Sequence, residues 1–208
     1  MSGIAYSLPD GSQVSKEEYW KIVQDRYVRR ANMPKPKGWT EITRSLAAGF
    51  KSFIGTQGTI LDIGCGTGKW GGKAYADAGV DYIKSTNTII GLDPEKTTET
   101  RFPVVCAFGE DIPFQDNIFD AVVIATTLDH VLDPDEVLME ARRVLKPNAH
   151  LFVWNAVFEQ GESNPWHLRT WSSLELTDLI NKYLKVTERN IAHYSGGNSI
   201  FIKGAKSP

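Results

Sequence analysis

The stretch that decides the fold reads Leu61-Asp62-Ile63-Gly64-Cys65-Gly66-Thr67-Gly68-Lys69. The apolar run at residues 59–63 is typical of a strand buried on both faces, and three glycines spaced two apart follow it. Glycine permits a sharp turn and lets a ligand approach the backbone closely. In open α/β sheets, ligands bind beyond the carboxyl ends of the strands. The stretch therefore predicts a ligand-binding turn.

The spacing of the glycines and the residues after them distinguish this turn from two nucleotide-binding motifs. G-x-G-x-G differs from the dinucleotide motif G-x-G-x-x-G, and Trp70 stands where a P-loop requires Ser or Thr. Asp62, at the start of the loop, would repel a phosphate and favour a cation. A ligand with an ammonium or sulfonium group is predicted, and a nicotinamide-dependent oxidoreductase is a disfavoured alternative.

Outward from this turn, apolar runs alternate with helical patterns. The Asp133-Pro134 cap, with Glu136 placed to complete a capping box, starts one helix, and Ser172 and Glu175 start another that ends near residue 184. Strands that alternate with helices predict an α/β fold with a mostly parallel, Rossmann-like sheet of seven strands and helices on both faces. The predicted strands are residues 59–63, 87–92, 103–107, 121–125, 151–154, 186–191 and 199–203. The last two form an antiparallel C-terminal hairpin whose loop, residues 195–197, exceeds the two-residue minimum.

The first fifty-odd residues differ from the rest. Ser15 and Glu18 form a capping box that starts a helix to about residue 30, and the Pro-rich residues 33–38 end it. A second helix is predicted at residues 40–50. We expect residues 1–55 to form an N-terminal helical cap and residues 56–208 to form the ligand-binding domain, both within one structural unit.

Composition narrows the class of protein. The 208 residues are 41% hydrophobic with a net charge of −2, which excludes a disordered chain and gives no support for a nucleic-acid partner. Cys65 and Cys106 form neither a disulfide framework nor a C-x-x-C metal pair. Because there is no bilayer-length apolar run and no signal peptide in residues 1–10, a cytoplasmic protein without a membrane partner is expected.

Further motifs follow the glycine turn in order. Asp93 ends the second strand, where an acid can accept the hydroxyls of a ribose. The turn at residues 108–112 could present backbone amides to an adenine edge. The other motifs are Phe119-Asp120-Ala121-Val122-Val123, Asp129-His130-Val131-Leu132-Asp133-Pro134 and Arg143-Val144-Leu145-Lys146-Pro147.

These six motifs in sequence resemble the class I S-adenosylmethionine (SAM)-dependent methyltransferases, particularly the small-molecule enzymes with an LDIGCGTG turn. The resemblance covers residues 59–154 well and 166–204 more loosely. It implies that SAM is the cofactor, that Gly64, Gly66 and Gly68 line its methionine part, and that Asp93 holds its ribose. The remaining implied cofactor-binding residues are Asp62, Cys65, Pro94, Phe108, Gly109, Glu110, Asp111, Ile112 and Thr126. For Asp62, binding the SAM ammonium through water and fixing the turn amides are equal alternatives; Asp111 could instead be a solvated loop acid.

The chain also departs from the family pattern. Asp93 lies 25 residues after Gly68, where about 20 are usual in Rossmann-like units, and residues 82–87 look like an insertion. The helix after Asp93 is short. Phe108 stands where relatives often place an acid, so adenine recognition would rely on stacking and backbone amides. Asn148 replaces a glycine of the usual KPGG turn, and asparagine tolerates a left-handed conformation.

The candidate catalytic residues are two histidines, His130 after the fourth strand and His167 after the fifth. A positioned imidazole can remove a substrate proton, although His130 could simply brace the next helix. Trp166 and Trp171 could form an aromatic wall or pack ordinarily. No three-carboxylate set suggests a metal. The predicted activity is methyl transfer to a small molecule, first of all to a hydroxyl of a sugar or metabolite, with N and C acceptors open; a non-catalytic methyltransferase-like subunit is the other alternative.

Overall fold

Nine strands and four α-helices form the described part of the chain. The computed structural model describes residues 6–8, 11–31, 38–66, 82–95, 102–158, 167–194 and 197–208. The helices are α1 (Lys16–Ala31), α2 (Trp39–Ile54), α3 (Pro134–Val144) and α4 (Ser173–Asn181), with a 3-10 turn at Leu128–His130. The strands are β1 (Tyr6–Ser7), β2 (Gln13–Val14), β3 (Thr59–Ile63), β4 (Thr88–Asp93), β5 (Val104–Cys106), β6 (Phe119–Ala125), β7 (Leu145–Val157), β8 (Lys185–Tyr194) and β9 (Gly197–Ala205).

Seven of these strands form one sheet in the order β5-β4-β3-β6-β7-β9-β8. The pairs from β5 to β7 are parallel, and β9 joins β7 and β8 antiparallel, which confirms the predicted sheet and hairpin. The chain runs from β3 outward to β5 and then returns to the other side of β3 as β6. Such a reversal opens a crevice at the carboxyl ends of the central strands.

The sheet is covered on both faces, as predicted. Neighbouring residues of a strand point to opposite faces. Ile60 accordingly packs with Phe50 and Ile54 of α2, whereas Leu61 packs in the cluster that contains Val137 of α3 and Leu176 of α4. Both faces are therefore buried, which accounts for the continuous apolar runs of β3 and β6. No helix in the described segments is long and apolar enough to cross a bilayer.

The predicted capping residues are present at the helix N-termini, with one exception. The capping boxes of Ser15 with Glu18 and of Ser172 with Glu175 are present. Asp133 caps α3 through the amides of the next turn, but the predicted return bond from Glu136 is wrong. The Asp133 amide donates instead to Glu110 Oε1 at 3.2 Å, because the turn after β5 brings Glu110 against the start of α3.

Several predicted boundaries also change. α2 extends to Ile54, α4 ends at Asn181, and β7 begins at Leu145, well before residue 151. In β7, Asn148 has a φ of 65°, the left-handed conformation expected of it. Tyr194 pairs with Gly197, so two residues connect the hairpin strands and the prediction of a longer loop is wrong. Residues 33–37, 195 and 196 lie outside the described residues, and the domain boundary at residue 55 stays a prediction.

Candidate functional site

The glycine turn lies at the carboxyl end of β3, in the crevice formed by the chain reversal. Gly64 and Gly66 have φ values of 71° and 69°, which L-residues with a side chain rarely adopt. The Gly64 amide donates to the Leu92 carbonyl at 2.7 Å, and the Gly66 amide donates to Asp93 Oδ2 at 2.9 Å. The turn is thus bonded to the end of β4. Gly68 lies outside the described residues.

The end of β6 packs directly against this turn. A Cβ on Gly64 would lie 2.2 Å from Thr127 Cγ2, which is far inside van der Waals contact. Thr126, just before it, has a φ of 52°, unusual for a β-branched residue and typical of strained functional sites. Glycine at position 64 is therefore required by the close approach of two strand ends, besides any ligand.

Asp93 connects the glycine turn to the chain after β4. Its side chain is buried, with Oδ2 accepting from Gly66 and Oδ1 accepting from the Glu95 amide at 2.9 Å. Burial raises the pKa of Asp93 above its usual value, while these two backbone hydrogen bonds oppose that rise. A carboxylate offers about four acceptor positions, so capacity for ribose hydroxyls remains.

Asp62 lies beneath the turn and is 1% exposed. The Tyr82 hydroxyl donates to its Oδ2 at 2.5 Å, and its buried Oδ1 has no hydrogen-bond partner among the described residues. Burial raises the pKa of Asp62 to about 7, and the nearby Asp93 adds to the rise. The amides of residues 64–66 donate elsewhere, so Asp62 does not fix that part of the turn.

The predicted adenine side of the cavity is formed by the turn after β5. The ring of Phe108 packs edge to face against Trp20 of α1, with centroids 5.9 Å apart, and Lys16 Nζ lies 4.2 Å from the Phe108 centroid. Glu110 is used structurally: its Oε1 accepts from the Leu132 amide at 2.8 Å, in addition to the Asp133 amide, and burial raises its pKa. Phe108 therefore contributes an aromatic wall where the resemblance implies an acid.

Two predicted residues of this turn do not face the cavity. Asp111 is exposed, as its alternative interpretation required. Ile112 is buried in the core, and its amide donates to Glu140 Oε2 at 2.9 Å. The amide of Ile112 is thus already used within the protein.

Helix α1 forms one wall of the cavity. Tyr19 is 2% exposed, and its hydroxyl donates to the His130 carbonyl oxygen. Trp20 and Val23, on the same side of α1, also line the cavity. The helical cap is therefore part of the site.

A buried acid and two histidines form a cluster from the 3-10 turn after β6 and the segment after β7. Asp129 is 2% exposed; His167 Nδ1 lies 2.7 Å from its Oδ2, and His130 Nε2 lies 3.5 Å from the same atom. Burial opposes ionisation of Asp129, but the two imidazoles outweigh it and hold the pKa of this carboxyl well below its usual range. In the described part of the chain, this group also offers three metal-ligand atoms within 4.8 Å of one another.

The cavity measures about 970 Å³ when counted with its opening to solvent. Of the two candidate bases, His130 lines it and His167 does not. Asp62 lies beneath the turn rather than among the lining residues. Trp171 packs on the hydrophobic core, and Trp166 lies outside the described residues. The other predicted residues that line the cavity are Gly64, Cys65, Gly66, Asp93, Pro94, Phe108, Gly109, Glu110 and Thr126.

Three residues of the site were missed by the sequence analysis. The sequence motifs place Tyr82 in an apparent insertion and predict no role for Asp129 or Arg169. Arg169 donates to the carbonyls of Val131 and Leu132, both at 2.7 Å. Only Asp129 carried a usable signal, because it directly precedes His130 at the end of a central strand.

The middle of the chain is similar in sequence to known proteins. Residues 61–153 match the family described as "Methyltransferase domain". The chain is 34% identical over 94 residues to a demethylmenaquinone methyltransferase of Paenarthrobacter aurescens, covering 45% of this chain and 37% of that protein. It is 36% identical over 123 residues to the ubiquinone/menaquinone biosynthesis C-methyltransferase UbiE of Chromobacterium violaceum, covering 56% and 47%. The chain spans less than half the length of these curated relatives.

The fold agrees with a solved structure over nearly the whole chain. The 1,6-didemethyltoxoflavin-N1-methyltransferase of Burkholderia thailandensis, solved with S-adenosylhomocysteine (SAH), superposes with a TM-score of 0.69 at 15% identity, covering 97% of this chain and 94% of that one. At this identity the likeness establishes the fold alone. Residues 61–153 are thus similar in sequence to the methyltransferase domain family, and the chain shares the fold of a solved methyltransferase.

Proposed function

We propose that this protein methylates a hydroxyl group of a small, uncharged or cationic molecule with SAM as the methyl donor, and that His130 is the general base. One observation carries the proposal: His130 lines the cavity that the glycine turn and Asp93 border, and a buried carboxylate lies behind it. Such an imidazole is placed to take a proton from a bound acceptor.

The residues present fit SAM. The turn at Gly64 and Gly66 exposes backbone without side chains, Asp93 retains acceptor capacity, and Phe108 with Trp20 gives an aromatic wall for an adenine. The buried, unpartnered Oδ1 of Asp62 leaves a hydrogen-bond acceptor beneath the turn. When bound, SAM supplies a methyl group on a sulfonium whose sulfur leaves as a neutral thioether.

The chain's own task is then alignment and proton removal. Alignment of two bound reactants lowers the barrier without any charged catalytic group. A weakly acidic hydroxyl must in addition lose its proton, and His130 would accept it. His167 is not assigned this role, because it does not line the cavity and its Nδ1 faces Asp129.

The charge of the cavity favours some acceptors over others. Its described lining includes the carboxyl groups of Asp93, Glu95 and Glu110, and no Lys or Arg side chain lines it in the described ranges. Arg169 is bonded to backbone carbonyls instead. Lys16 Nζ lies over the ring of Phe108, which lines the cavity, but three carboxyl groups lie among the described lining residues. This balance favours a neutral or cationic acceptor, whose apolar body would pack on Tyr19 and Val23, over a phosphorylated or carboxylated one.

The test begins with the acceptor. Neutral, cationic and anionic hydroxyl compounds are screened for SAH release, and His130→Ala is then compared with wild type and with His193→Ala. His193 bonds Asn198 on the exposed face of β8, which makes it a matched control. We expect His130→Ala to lose about 10²–10⁴-fold in kcat with unchanged SAH affinity. Near-wild-type turnover of His130→Ala between pH 6 and 9 would rule out this base.

Carbon methylation is the second candidate. It is favoured by the curated relatives, which are named demethylmenaquinone methyltransferase and C-methyltransferase. A hydroxyl on an aromatic ring, once deprotonated at His130, directs electron density to ring carbon as well as to oxygen. NMR of the product separates the two, since a methoxy group and a ring methyl differ widely in carbon chemical shift.

A further inference from the structure

The segment that follows β7 reaches back to the histidine cluster. We call residues 167–171 the closing segment. Its Leu168 and Arg169 amides donate to the Asp129 carbonyl at 3.0 and 3.4 Å. The Arg169 guanidinium holds the two carbonyls just after His130, as described above. The Trp171 carbonyl accepts from the Phe158 amide at 2.9 Å. The closing segment is thus fixed to the backbone on which His130 lies.

His167 is held within this segment by two ring contacts. Its ring meets Phe158 at 5.6 Å and His130 at 5.1 Å between centroids, both edge to face. These contacts turn its Nδ1 to 2.7 Å from Asp129 Oδ2. The carboxylate of Asp129 therefore lies between two imidazoles, one of which borders the cavity.

We propose that Asp129 and His167 are positioning residues for His130: His167 donates Nδ1–H to Asp129, and Asp129 in turn holds Nε2–H of His130, which leaves His130 Nδ1 as the proton acceptor. The proposal rests on the proposed function, in which His130 is the base. A neutral imidazole carries one proton, and the hydrogen bond made by one ring nitrogen decides which nitrogen is free.

The presence of His167 beside Asp129, in addition to His130, has a physical reason. A buried carboxylate is costly unless it is paired and hydrogen-bonded, and the separation of 3.5 Å to His130 is too long for a good hydrogen bond. His167 supplies the short contact, and the two imidazoles together keep Asp129 ionised. The separation of His130 Nε2 from Asp129 Oδ2 can shorten when His130 takes up a proton.

Other ionisable side chains near His130 form hydrogen bonds with backbone atoms of residues 130–132. The Tyr19 hydroxyl donates to the carbonyl of His130 itself. Arg169 bonds the next two carbonyls, and Glu110 accepts from the Leu132 amide. Among the described residues, Asp129 and His167 are therefore the ionisable side chains whose own polar atoms or rings face the imidazole of His130.

The first experiment reads the tautomers directly. The full chain, labelled with ¹⁵N, is studied by long-range ¹H–¹⁵N NMR at pH 8 without acceptor, and the four histidines are assigned by single substitutions. We expect His167 with its proton on Nδ1, the less common tautomer of free histidine, and His130 with its proton on Nε2. The opposite tautomer at either residue overturns the proposal, whether or not the protein proves to be a methyltransferase.

The second experiment uses two substitutions of His167. The amide nitrogen of Asn can occupy the place of Nδ1 and still donate to Asp129, whereas Leu fills similar space without a donor. We expect His167→Asn to stay within about threefold of the wild-type kcat and His167→Leu to lose about 10- to 100-fold, both with unchanged SAH affinity and KM. Equal kcat values for the two variants overturn the positioning role.

Two further measurements separate this inference from its rivals. If His130→Ala keeps full turnover, the base of the proposed function fails, while the tautomers can still be as inferred. Titration of the purified protein with Zn²⁺ alone tests the cluster as a metal site. Stoichiometric binding that His167→Leu abolishes would overturn the positioning role, and no binding supports it.

Discussion

Replacement of Asp62 by Asn should remove a large part of the pH dependence of stability. The pKa of Asp62 rises from an ordinary value of 3.8 to about 7 because the folded protein buries it. Since one pKa unit corresponds to about 1.4 kcal/mol, folding favours the protonated form by about 4 kcal/mol. This stabilisation is fully present below pH 4 and is lost as the pH rises to about 7. It is a large share of the roughly 5–15 kcal/mol typical of a domain.

The assay is urea denaturation of wild type and Asp62→Asn between pH 4.5 and 8 without ligand. Asn is isosteric and can still accept from the Tyr82 hydroxyl. We expect the variant to gain stability relative to wild type as the pH rises, by an amount that approaches about 4 kcal/mol at pH 8. The pKa values of Asp93 and Glu110 are also raised. Their contributions to the free energy of unfolding are present in both proteins, so they cancel when the variant is compared with wild type.

Asp111→Asn provides the matched control, because Asp111 is an exposed acid. Its stability is compared with that of wild type at the same pH values. Parallel stability curves for wild type and Asp62→Asn would refute the reasoning, since they would mean that Asp62 ionises as easily inside the protein as in the unfolded chain.

Two other substitutions test the glycine turn and its neighbour. Gly64→Ala should lower the melting temperature more than Gly55→Ala, because both have positive φ but only the Cβ at position 64 would collide with Thr127; equal melting temperatures would show that β6 yields to the added methyl group. Asp93→Ala should weaken SAH binding at least about tenfold in calorimetry and should also lower the melting temperature of the ligand-free protein, since the amide of Gly66 loses its acceptor. Unchanged SAH affinity would place the ribose contact elsewhere.

The sequence by itself determined the architecture and the position of the glycine turn at the end of β3. Apolar runs define β3 and β6 because strands buried on both faces need apolar residues at most positions rather than at alternate ones. Capping at Ser15 and Ser172 involves residues three apart, so its pattern is local and readable. The left-handed conformation of Asn148 is likewise a property of one residue and its neighbours.

Only the tertiary structure decided the partners of the buried polar groups. Asp62 bonds Tyr82 across 20 residues, and Asp129 meets His167 across 38. Nothing in the local sequence specifies such pairs, since the order of the strands brings them together. For the same reason, the amide of Asp133 bonds Glu110 rather than the predicted Glu136. A buried polar atom bonds whichever partner the packing of distant elements brings within reach. The tertiary structure therefore decides between possible partners that the local sequence cannot rank.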